Sequence, residues 1–358
     1  MPPAHRCLHL ALLLAALALG GCASTGSSPL STATIQEMPE RVCVRAAHAA
    51  YLPTAADSAG EPEAAQVPAR HALPFSRTAL ATAAAIGVLP ALNEIVAANA
   101  SPASSASREQ ALLARQALME RITLTMLDVA SVTGEIDCEN ERSGQLRDQL
   151  QRLEEQRLRG LTVAGLVIGA ATAIVSGGIA LYDSDAVAAS VINVVGGAAQ
   201  AGTGFAALTY TPAATLRHER NLLADLWEGK PDSTLFPPSI WRFLTQVREE
   251  DTGVPLGQAL VEQWRAGERL GPRDSQEEQR RAALIFGKGG NYTADDLRAR
   301  DAILDQLEAT VKLLYQDLGL LMRELSAWTA TRATAGSAAE PDNGTRKSAP
   351  RPAPATRR

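Results

Sequence analysis

Two uninterrupted apolar stretches, residues 161–181 and 186–209, contain no Asp, Glu, Lys or Arg, and only Tyr182-Asp183-Ser184-Asp185 divides them. The first is close to the length a helix needs to cross a bilayer, about 20 residues at about 1.5 Å rise; the second is less clearly a span, because it contains Asn193 and Gln200. Small residues recur at every fourth position of the first: Gly165, Gly169, Ala173 and Gly177. A similar series, Ala189, Asn193, Gly197 and Ala201, runs through the second. Residues four apart share a helix face, so each stretch is expected to carry a smooth strip on which another backbone can close. The pattern predicts a tight antiparallel helical hairpin over 161–210, with Asp183 and Asp185 at its tip. Gly is a poor helix former, so packing must hold the segments. Asn193 and Gln200 would be desolvated in lipid, so burial of the hairpin inside its own bundle or an oligomer stands beside membrane contact.

The flanking polar-apolar rhythm is helical throughout. Residues 108–160 read as one very long helix, in which Met119, Ile122, Met126, Val129, Thr133 and Ile136 alternate three and four apart. Leu146, Leu150 and Leu153 resume the rhythm after a polar notch at 140–144, and Ser107 is placed to cap the start. Gly160 is the only stop signal before Leu161, so this helix is expected to run on into the hairpin. Residues 74–99 predict an Ala-rich helix kinked or divided at Pro90. After Pro212, helices are expected at 215–227, 238–249, 255–269 and 274–286, bounded by Gly/Pro/Asp turns. Residues 294–328 are the most regular: Leu304, Leu307, Val311, Leu314, Leu318, Leu321, Leu325 and Trp328 keep a three-four spacing behind Thr293 as N-cap. This seam is expected to pack lengthwise on 108–155; self-association between chains is the other reading. The fold class is therefore all-α, an elongated helical bundle with two long antiparallel helices and an apolar, glycine-rich helical hairpin.

The two ends change the picture. Residues 1–21 have the form of an export signal, with Arg6, His5 and the terminal amine ahead of an apolar centre at 8–19. The centre ends in Leu19-Gly20-Gly21-Cys22, which resembles the lipobox of bacterial lipoproteins. The resemblance implies cleavage before Cys22, a diacylglycerol thioether on its sulfur and an acyl chain such as palmitate on its amine. Several chains on one residue exceed what stable anchoring requires. Ala23, rather than Asp, follows the Cys; by resemblance to the Gram-negative sorting rule this favours the outer membrane, facing periplasm or surface. Residues 22–73 then read as a partly irregular tether, 74–330 as the helical domain, and 331–358 as a disordered tail made basic by Arg346, Lys347, Arg351, Arg357 and Arg358.

Composition narrows the chemistry. A formal charge of −5 gives no reason to expect nucleic acid as a partner. Of four Cys, Cys7 leaves with the signal and Cys22 carries lipid, so Cys43 and Cys138 remain as an even pair in an oxidising compartment, most simply a disulfide. Asp137, Glu139 and Glu141 beside Cys138 disfavour a thiolate, so a nucleophile is not expected there. Phe286-Gly287-Lys288-Gly289-Gly290 lacks the phosphate-loop spacing and reads as a glycine-rich turn. His48, His71 and His218 have no metal-ligand spacing. Asp295, Asp296, Asp301 and Asp305 read as a solvated helix face. No catalytic constellation, cofactor site or metal site emerges, so the expectation is a non-enzymatic protein.

Two functions fit. One is a lipid-anchored bacterial cell-envelope protein whose hairpin contacts or inserts into membrane or mediates assembly. The other is a periplasmic or surface structural or binding module whose hairpin is buried in its own bundle or in a homo-oligomer. Long helices bearing a small apolar head are similar in architecture to the α-helical pore-forming toxins of the haemolysin E type. Arg157 and Arg159 precede the hairpin, Arg217 and Arg220 follow it, and its tip is acidic. Ordinary inner-membrane insertion would oppose the positive-inside tendency, leaving late insertion or burial.

Overall fold

The computed structural model describes residues 34–35, 43, 73–100, 104–182, 187–209, 211–247, 253–267 and 269–338. Cys22, the hairpin tip with Asp183 and Asp185, and the tail 339–358 lie outside them. The elements are β1 (Thr34–Ile35), α1 (Arg77–Ala85), α2 (Leu89–Ala100), α3 (Ser105–Tyr182), α4 (Val187–Thr209), β2 (Ala213–Arg217), α5 (Leu222–Glu228), α6 (Pro238–Thr245), α7 (Leu256–Ala266), α8 (Gln276–Phe286), β3 (Gly289–Thr293) and α9 (Ala294–Ala338). The chain is all-α in class, dominated by α3 and α9, with one small sheet. Contacts group it into two units: 1–45, 135–227 and 263–305 form the first, and 46–134, 228–262 and 306–358 the second.

In the first unit, residues 213–217 depart from the helical expectation and form β2. The strand runs in the order β1-β2-β3, parallel to β1 and antiparallel to β3. Ala214 and Leu216 point inward while Thr215 and Arg217 alternate with them, the period of a half-buried strand. The glycine-rich turn at 287–290 is what admits this pairing. Gly289 has φ +82°, and a Cβ there would lie 2.1 Å from the carbonyl oxygen of Leu216, so only glycine lets the two backbones meet. Asn221 then donates its amide to the carbonyls of Ile285 and Gly287, at 2.8 and 2.9 Å, fixing the end of α8. Trp227 stacks on Phe286 at 4.1 Å, and Trp264 closes on the same ring at 5.7 Å.

α9 starts with a reciprocal cap: Asp296 N donates to Thr293 Oγ1 at 3.2 Å, and Thr293 N to the Asp296 carboxylate at 3.1 Å. Within this unit α9 runs antiparallel to α3, because Asn140 bonds Asp305 whereas Ser143 and Arg147 bond Asp301. The solvated aspartate face is thus corrected at two of its four positions. Asp296 is fully buried between Arg280 and Arg281, and Asp301 is half-buried against α3, whereas Asp305 stays exposed with Asn140 beside it and Asp295 pairs with Arg298 at the surface. Burial alone would raise the Asp296 carboxyl; the Arg280 hydrogen bond and the Thr293 cap more than offset it and hold it below its ordinary value.

In the second unit the break between α1 and α2 falls at Gly87, φ +76°, and not at Pro90. Pro90 sits in the first turn of α2, where its missing N–H leaves no bond unmade. The last carbonyls of α1 are taken by side chains: Arg242 Nε donates to Ala85 O at 2.7 Å and Arg121 Nε to Ile86 O at 2.8 Å. The cap of α3 is Ser104 rather than Ser107, since its hydroxyl oxygen accepts from Ser107 N at 3.0 Å. Leu314, Leu318, Leu321 and Leu325 of α9 are buried together with Leu118, Ile122 and Val129 of α3, so the regular seam is used within the chain. α9 continues past Trp328 to Ala338, beyond the expected start of the tail.

Candidate membrane-contacting hairpin

The long helix does not stop at Gly160: α3 enters the apolar stretch without interruption and α4 returns. Their close approaches define an antiparallel pair. A Cβ on Gly165 would meet Thr203 Oγ1 at 3.1 Å, and one on Gly169 would meet the Gln200 side chain at 3.4 Å. A Cβ on Gly196 would fall 2.1 Å from Thr172 Oγ1 and 2.8 Å from its Cβ. Positions climb along α3 as they descend along α4. Gly165, Ser176 and Ala189 are buried on this line.

The contact line is not the one read from every-fourth spacing. Gly165 and Gly169 face α4 as expected, but a Cβ on Gly177 or Gly197 would meet nothing within 4 Å among the described residues. Ala173, Asn193 and Ala201 are exposed. Four residues advance a helix by about 400°, so a strict fourth-residue series drifts about 40° per step and winds off a straight partner. The line that stays in contact alternates steps: Gly165, Gly169, Thr172 and Ser176 on one helix, Gly196, Gln200 and Thr203 on the other. The three-four rule that identified the other helices would have found it.

This assignment separates neighbouring glycines. Thr172 is β-branched and its hydroxyl is committed to Ile168 O at 2.8 Å, so it cannot swing clear of a methyl on Gly196. Gly196→Ala is expected to destabilise the hairpin by about 1–3 kcal/mol. Gly197→Ala, the same chemistry one position on, should be neutral or stabilising by up to about 1 kcal/mol through helix propensity. Amide exchange across 161–209 checks both; equal behaviour of the two variants would reject the contact line.

Outside that line many of the described apolar side chains are exposed. Val163, Leu166, Val167 and Ile174 on α3, and Val191, Val194, Val195 and Phe205 on α4, are 56–75% exposed. The most apolar window of α3 has a mean hydropathy of 1.8 and only 6% of it is buried. By length and composition α3 is able to cross a membrane, and a soluble core helix of such hydropathy would be mostly covered.

Beneath the hairpin the first unit holds a buried polar cluster that periodicity did not single out. Arg220 is not a solvated flank: its Nε donates to Glu135 at 2.7 Å, inside the unit. Burial raises the Glu135 carboxyl against the pull of Arg220. Arg300, 1% exposed, bonds Glu139 at 3.0 Å. Tyr292 donates its hydroxyl to Leu284 O at 2.7 Å, so His218 Nε2, 2.7 Å away, is the donor to that oxygen. Burial, with Arg300 and Arg142 nearby, pushes His218 down to about 2, and the ring is neutral. Cys43 and Cys138 are joined as a disulfide, with Cα atoms 5.6 Å apart, fastening the N-terminal segment to α3 beside Glu139. Cys22 lies outside the described residues.

The chain matches no protein-family model, no curated protein and no solved structure.

Proposed function

We propose that this is a lipid-anchored, non-enzymatic protein of the bacterial cell envelope whose α3–α4 hairpin enters a membrane. The single observation that carries the reading is the exposure of the hairpin's outer surface. Eight large apolar side chains there are more than half exposed, on helices long enough to match a hydrocarbon core of about 30 Å. The alternative, a hairpin hidden within its own bundle, is disfavoured by the same surface; concealment between sister chains is the form of it that remains. The lipobox-like Leu19-Gly20-Gly21-Cys22 places the anchor, and the absence of charge from 161–181 and 186–209 supplies the apolar wedge.

The test removes the anchor so that the hairpin acts alone. A Cys22→Ala protein exported with an exchanged, cleavable signal is expected to resist carbonate extraction and to float with phosphatidylglycerol-containing vesicles. The same protein with 161–209 replaced by a short turn should do neither. A fully soluble, monomeric Cys22→Ala protein would end the membrane reading, and a soluble oligomer would transfer support to assembly between copies.

A further inference from the structure

Two amides on α4 point to what meets the hairpin inside lipid. Asn193 and Gln200 are exposed, and their side chains have no hydrogen-bond partner among the described residues. Both lie well inside Val187–Thr209 rather than at its ends. Water satisfies such groups, but an acyl chain offers neither donor nor acceptor, and an unbonded amide is strongly disfavoured there. A carboxamide both donates and accepts, so a second copy of the same residue completes it.

The line on which α3 and α4 meet sets where these amides point. At about 100° per residue, Asn193 and Gln200 lie about 40–60° to one side of the line through Ala189, Gly196 and Thr203. Gly197 and Gly204 lie farther round the same way. On α3, Ala173 and Gly177 turn off the contact line in the same rotational sense. In an antiparallel pair, equal senses open on the same side. These residues therefore share one face of the hairpin, and the two amides stand in the groove at its middle. A Cβ on Gly177, Gly197 or Gly204 would meet nothing within 4 Å among the described residues, so little holds a second helix off this face. The exposed Val175 and Val195 lie on the opposite face.

We infer that two copies of the hairpin pair within the bilayer through this face, Asn193 and Gln200 of one bonding the same residues of the other. This rests on the proposed function, since only entry into lipid takes water from the amides. Two hairpins that enter one membrane tip first are related by a twofold axis along their length. Such an axis through the groove brings each amide to its own twin at the same depth. Each hairpin uses one face, so the association closes at a dimer and leaves Val175 and Val195 to lipid.

The experiment uses the full chain with Cys22→Ala in phosphatidylglycerol-containing vesicles, so that flotation reports the hairpin alone. Gly197→Cys on the pairing face and Val195→Cys on the opposite one each supply one free thiol, because Cys43 and Cys138 are paired. With a flexible bis-maleimide, Gly197→Cys is expected to give several-fold more cross-linked dimer than Val195→Cys. Adding Asn193→Leu to Gly197→Cys should lower that yield several-fold while the protein still floats. Equal yields from the two positions, or a yield that Asn193→Leu leaves unchanged, would overturn the pairing and leave membrane entry intact. A chain that does not float would overturn the inference together with the reading beneath it.

Discussion

Reduction of the Cys43–Cys138 bridge, or Cys43→Ser, is expected to lower the stability of the first unit by about 4–5 kcal/mol in the chain-entropy limit. The bridge closes a loop with a sequence separation of 95, so the unfolded chain loses a large amount of freedom when it is formed. That is a sizeable share of the total stability of an ordinary domain, about 5–15 kcal/mol. The structural consequence is as specific as the energetic one. β1 contributes only Thr34 and Ile35 to the sheet, and a two-residue strand does not hold a segment by itself. The reduced protein should release its N-terminal segment to protease before the helices unfold. Denaturant midpoints with and without reductant give the first readout, and limited proteolysis the second. Identical midpoints in the two conditions would show that the bridge does not form or does not matter.

Breaking the Arg300–Glu139 pair should cost a comparable amount, about 3–5 kcal/mol, because the surviving partner is left charged and buried. Arg300 is 1% exposed; its Nη2 reaches Glu139 at 3.0 Å, while Nε and Nη1 find no hydrogen-bond acceptor among the described residues. A guanidinium so placed depends heavily on the one carboxylate it touches. Glu139→Leu strands Arg300 and removes the carboxylate that lies 3.8 Å from Arg142 Nη1. Arg300→Met leaves Glu139 with Arg142 and should be the milder change. Combining the two substitutions is expected to recover much of the loss, since a well-packed apolar pair of similar volume is often as stable as the ion pair it replaces. A double-mutant cycle by denaturant unfolding measures this coupling. If the double variant loses the sum of the two single losses, the pair is not the unit of stability described.

How much of this was legible beforehand differs sharply between the helices and what joins them. The apolar spacing of 108–160 and 294–328 announced α3 and α9, because burial of one helix face leaves a three-four imprint that no other structure leaves. The Cys43–Cys138 pair followed from compartment and parity, since a lipobox-like start leaves two thiols with an oxidising fate. β2 was not legible. Ala213–Arg217 is short, follows a proline and carries no strong β signal; it is a strand because Gly289 lets β3 approach it. Asp296 and Asp301 were misread for a related reason. A carboxylate on a helix looks solvated until its partners, here Arg280, Arg281, Ser143 and Arg147, are brought to it from other elements.

By itself, then, the order of residues determined the class of fold and the unbroken passage of α3 into an uncharged hairpin. Both rest on local composition, which the chain carries wherever it goes. Only the tertiary structure decided which faces meet: Gly196 against Thr172 rather than Gly197, Asp296 inside rather than out, Thr34 beside Ala213 at the foot of the hairpin. Contact depends on the rotation of one helix about its axis and on the register of one strand against another. A rotation of about 100° per residue is enough to exchange a packed position for a solvated one.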